Sequence, residues 1–177
     1  MICPLRATRA FRAMLLTVAV VALPGAGRPL PAQQGMTLSP SERAEVSGYA
    51  LSVDKVKRLV SMSAELSRLL AADPAFQALA DGTANQSLTA QAALLEQVPK
   101  AASALRTAGL TAHDYAVGSR AFRSAQAIAQ MQARGRPVPP AMQAMFPASV
   151  AQVAFVTTHQ SELDVIAPAH RSRASRP

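Results

Sequence analysis

The chain has 177 residues, half of them hydrophobic, with 18 Lys+Arg against 10 Asp+Glu and a formal net charge of +8. Seven of the cations lie at the ends (Arg6, Arg9, Arg12, Arg28, Arg171, Arg173 and Arg176), so residues 33–170 carry only +1, and a nucleic-acid partner is not expected. The one cysteine, Cys3, excludes an internal disulfide, and the length suits a single domain.

From the start of the chain, Arg6, Arg9 and Arg12 precede the apolar run Met14–Leu23, a Pro24-Gly25 break, and small residues ending in Leu30-Pro31-Ala32. A positive head, a short apolar middle and a small-residue exit form the pattern of a secretory signal peptide. The run of ten is too short for a hydrocarbon core that needs roughly 20 residues. Cys3 precedes the apolar run, whereas a lipoprotein anchor follows it. The expectation is export, cleavage near Ala32, and a periplasmic or secreted protein with no transmembrane segment in the mature chain.

Residues 33–51 read as a flexible lead-in with a short helical turn after Ser39-Pro40 that ends at Gly48. Ser52 caps a long amphipathic helix over 53–72, with Val53, Val56, Leu59/Val60, Ala64, Leu66 and Leu69/Leu70 at three- and four-residue steps. Asp73-Pro74 opens a short helix to Ala80. Ser87 or Thr89 caps another over 89–97, and Pro99 restarts the chain as helix to Ala108, where Gly109 stops it. Thr111 to Asp114 resembles a capping box, followed by helix to about Arg134 and a stop at Gly135. The loop Arg136-Pro137-Val138-Pro139-Pro140 cannot be helical through its prolines, and Ser149 with Gln152 opens a last helix from Val150 to about Val165. Val150, Val153/Ala154, Phe155/Val156, Leu163 and Ile166 form its apolar side. The tail 168–177 reads as disordered and basic. No strand pattern and no internal repeat is present. The fold expected is all-α, an irregular antiparallel bundle of three longer and two or three shorter helices without disulfides, with its helical domain over 52–167.

The order Tyr49-x-Leu51, Asp54-Lys55, Asp73-Pro74, Pro99, Gly109-Leu110-Thr111, Asp114-Tyr115, Val153-Ala154-Phe155-Val156 and Glu162-Leu163 is similar to a group of small exported bacterial α-helical proteins of unassigned activity. These are capping and packing residues. The resemblance implies an exported helical domain over 49–166 and transfers no catalytic residue or cofactor.

Two sets of residues are candidates for function. His113, Asp114, Tyr115 and His159 form a candidate polar cluster. Yet Asp114 as a cap, Tyr115 as a core aromatic with a polar tip, and two surface histidines account for them more simply. Neither a metal-ligand set nor a cofactor motif accompanies them. Met131, Val138, Met142, Met145 and Phe146 gather around the proline-rich loop, where flexible methionines serve as core filler or as an adaptable partner or ligand surface. Lys55, Lys57, Arg58, Arg68, Arg120, Arg123, Arg134 and Arg136 read as solvated helix faces. The basic tail is expected to touch anionic lipid only weakly, at roughly 1 kcal/mol per Arg. The first functional expectation is a non-enzymatic envelope protein that binds a partner protein or a second copy of itself. The alternatives are a carrier of a small apolar ligand, and an enzyme using the His113, Asp114, Tyr115 and His159 set.

Overall fold

The computed structural model describes residues 38–166, and among them every regular element is helical. The helices are α1 (Pro40–Gly48), α2 (Val53–Ala72), α3 (Pro74–Thr83), α4 (Leu88–Gln97), α5 (Pro99–Thr107), α6 (Ala112–Ala133), α7 (Pro140–Met145), α8 (Val150–Thr158) and α9 (Gln160–Ile166). The expected signal peptide over 1–32 and the expected disordered tail over 168–177 lie outside the described residues.

Most helix starts are written in their caps. Ser52, Asp73, Ser87, Thr111 and Ser149 each accept a first-turn backbone N–H through a side-chain oxygen. Val98 is held extended before Pro99, so α5 begins without a side-chain cap. Gly109 and Gly135, both at φ +65°, end α5 and α6 in the left-handed conformation open to glycine. Leu110 then donates back to Leu105, and Arg136 to Met131.

The lead-in expected over 33–51 differs in the structure from Leu38 onward. Ser39 and Glu42 form a reciprocal capping box that starts α1 at Pro40. The other Glu42 oxygen accepts the Leu88 N–H at 2.7 Å, so one carboxylate closes the starts of both α1 and α4. Val46 is fully buried and Leu38 nearly so, which makes this segment part of the core.

α6 is the central helix, touching α1, α2, α4, α5 and α8. Ala116, Val117, Gly118, Ser119, Ala121, Phe122, Ser124 and Ala125 are all buried, so its small residues admit neighbours on several sides where a single stripe is expected. Its N-terminal half joins a cluster with Leu59, Met62, Leu66, Phe76, Leu88 and Leu105. Its C-terminal half packs Phe122 and Ala125 against Val56, Val156 and Leu163.

Two further differences concern packing. The last helix breaks at His159, whose φ −99° and ψ 14° leave helical values, and the break lets Leu163 of α9 join Val156 in the second cluster. Val150, expected on the apolar side, is 88% exposed, while Gln152 is buried in its place. Met62 fills the core position that the sequence pattern gives to Ala64, which is exposed.

Candidate functional site

The candidate polar residues are held by different partners. His113, in the first turn of α6, pairs with Glu45 of α1. Asp114 accepts the Thr111 hydroxyl at 2.8 Å while its own N–H is capped by that oxygen. Its shorter side chain thus meets the hydroxyl where a glutamate would return to the backbone. The Tyr115 hydroxyl bonds Ser63 of α2 at 2.9 Å. His159 lies between α8 and α9, its ring 4.8 Å from Phe155 and its Nδ1 3.8 Å from Glu162. The four are separately engaged, and among the described residues no three His, Cys, Asp or Glu side chains are grouped to hold a metal.

Tyr49 packs into the same region as Asp114. Its ring meets α6 at Gly118, where an added Cβ would lie 2.9 Å from the ring tip, and Lys55 Nζ stands 4.9 Å from the ring centroid. Burial raises the Tyr49 phenol above its ordinary value, the Asp114 charge adds to this, and Arg58 opposes both.

The loop residues lead to a better-formed feature. A groove of about 630 Å³ lies between the C-terminal half of α6, the segment 138–148 and α8. Ile128, Val138, Phe146 and Val153 give it apolar walls, and Gln132, Gln143, Thr157 and Thr158 give it uncharged polar ones. Among the described residues, none that lines it is charged or titratable. Gln132 and Thr157 also border an adjoining groove of about 420 Å³ with Gln126, Gln130, Val156 and Leu163, to which Arg134 and Asp164 bring charge. Of the five candidate loop residues, Val138 and Phe146 line the larger groove. Met131 and Met142 are partly buried and Met145 is half exposed, and none of the three lines it.

Two residues shape this face through long-range contacts that the sequence does not disclose. Gln152 is 3% exposed and donates to the carbonyls of Val46 at 2.7 Å and Tyr49 at 2.8 Å, while its oxygen accepts the Ser149 N–H. It fixes the start of α8 against the end of α1, and the groove wall with it. Arg120, read as a solvated face, is half-buried. It donates to the Met145 carbonyl at 2.8 Å, and its guanidinium carbon lies 5.9 Å from the Phe146 ring centroid. Its Nε is buried without a partner, and none of the ion pairs among the described residues includes it. Burial, with Arg123 nearby, lowers its pKa from the ordinary value. The hint in the sequence is its place between Ser119 and Ala121, both inward-facing.

A third groove, of about 620 Å³, lies between α2 and α5 and is lined by Glu65, Arg68 and Lys100 as well as Met62 and Leu69. Among the described residues no helix is long and apolar enough to cross a membrane. No family model, curated protein or solved structure matches the chain.

Proposed function

We propose that this is an exported, non-enzymatic binding protein whose binding face is the groove between α6, the 138–148 segment and α8. One observation carries the reading: Ile128, Val138, Phe146 and Val153 line an open cleft to which the described residues bring no charged group, with Val150 on the same cleft 88% exposed. Apolar surface of this kind, rimmed by uncharged polar groups, is characteristic of contact sites. The candidate titratable residues, by contrast, are occupied with structural partners. The occupant is an apolar segment of an envelope protein or of a second copy. A small apolar ligand is the second reading, favoured by the clustering of Phe146, Ile128 and Val153 in one cleft.

The test is photo-crosslinking from position 150 in an exporting host, with exposed Arg106 on α5 as the control position. A defined adduct from position 150 that is absent from position 106, on a chain beginning near Gln33, is the expected result. The same adducts from both positions, or none from position 150, overturns the binding face, and retention of residues 1–32 overturns export.

A further inference from the structure

Close to this groove stands a cation that no anion among the described residues meets. Arg120 is half-buried, its Nε is enclosed without an acceptor, and one terminal nitrogen donates to the neutral carbonyl of Met145. The ring that links it to the groove is Phe146, which lines the cleft and lies 5.9 Å from the guanidinium carbon.

We propose that the groove takes an amphiphilic anion, a long-chain carboxylate, with its alkyl chain against Ile128, Phe146 and Val153 and its head group on Arg120. This rests on the groove being the binding face and deepens its small-ligand reading. The described groove residues offer an alkyl chain apolar contact and offer a charged head nothing, so a charge on the ligand must be met outside the lining, and Phe146 connects the groove to the guanidinium of Arg120. A carboxylate is the better acceptor for a guanidinium: charge-assisted bonds are roughly twice as strong as those to a neutral carbonyl, and the planar fork is met two bonds at a time. Arg123 adds positive potential from the next turn of the same helix face, its Nε held on the Ser119 carbonyl.

The same exchange changes the groove wall. α7 buries none of its residues, and Gly135, Pro137 and Pro139 precede it. The Arg120 bond to Met145 ties the end of α7 to α6. A carboxylate that takes Arg120 releases this tie and lets Phe146 and Val138 shift around the chain. The ligand then makes contacts in the opened form that are absent from the closed one, as any ligand-driven shift requires.

Calorimetric titration of the exported protein with laurate, dodecanol and dodecyltrimethylammonium, each below its micellar concentration, tests this. Laurate is expected to bind about tenfold more tightly than dodecanol, equivalent to ~1.4 kcal/mol, and the cation most weakly. Arg120→Ala should remove the preference of laurate over dodecanol, and Arg120→Lys should restore part of it. Equal affinities in the unaltered protein, or a preference that survives Arg120→Ala, overturns the proposal. So does failure of all three to bind, whereas the crosslinking at position 150 judges the groove separately. If Arg120→Ala fails to fold, the comparison of head groups on the unaltered protein and on Arg120→Lys decides.

Discussion

Gln152 and Glu42 show how much of this fold rests on single polar side chains that bridge distant segments. The Gln152 amide serves its own helix cap and two α1 carbonyls at once. Gln152→Leu keeps comparable bulk and strands those carbonyls, so it should destabilise the protein by about 2–4 kcal/mol in urea denaturation, each lost buried partner costing about 1–3 kcal/mol. A change within error would mean that water reaches the α1 carbonyls. Desolvation would raise the Glu42 pKa, but the Ser39 N–H and hydroxyl and the Leu88 N–H outweigh it and hold the carboxyl below its ordinary 4.5. A depressed folded pKa gives stability that is present above the unfolded value and lost as pH falls through the folded one. The urea midpoint should therefore drop on acidification below about pH 4.5, and Glu42→Gln should flatten that drop. An unchanged slope in the variant would assign the acid sensitivity to other carboxylates. The Ser149–Gln152 cap is legible in the sequence because it is local. The second role of Gln152 is not, since its acceptors lie 103 and 106 residues away.

At the scale of the element, α6 departs most from what periodicity conveys. A stripe pattern assumes one buried side, whereas Gly118, Ser119, Ala121 and Ser124 are small enough for helices to approach from several. Gly118 is the sharpest case. Alanine is the better helix former by about 1 kcal/mol, yet its Cβ would lie 2.9 Å from the Tyr49 ring tip and 3.1 Å from Leu59 Cδ1. Gly118→Ala should lower the melting temperature despite the gain in propensity. Combined with Tyr49→Ala, it should cost less than the sum of the two single changes. Additive losses would show that the ring does not press on α6. The caps and glycine stops set the boundaries of α2 to α6 within a few residues, because each boundary depends on side chains in the adjacent turn. The break at His159 was hidden because it reflects where Leu163 must pack, against Val56 and Phe122 from other helices.

Across the whole molecule, two apolar clusters meet along α6, and an all-α bundle follows from helix punctuation with no strand signal to compete. Phe122, 5% exposed in the second cluster, should cost about 3–5 kcal/mol on replacement by Ala, read from the denaturation midpoint. An unaltered midpoint would mean that the α6–α8 packing collapses around the gap at little cost. The candidate site was only partly legible. Val138 and Phe146 were singled out for composition near the prolines, but the groove also needs Ser47, Ile128, Gln132 and Val153, which the tertiary fold alone brings together. Arg120 was read as surface because charge in sequence says nothing of which neighbours cover it. The most direct measurement is an amide and methyl NMR titration of the protein with laurate. Shifts confined to residues 126–134, 138–148 and 150–158, with Arg120 perturbed alongside them, are the expected result. Shifts centred on the α2–α5 groove, or none at saturating laurate, would contradict the assignment of the α6–α8 groove as the binding face for an amphiphilic anion.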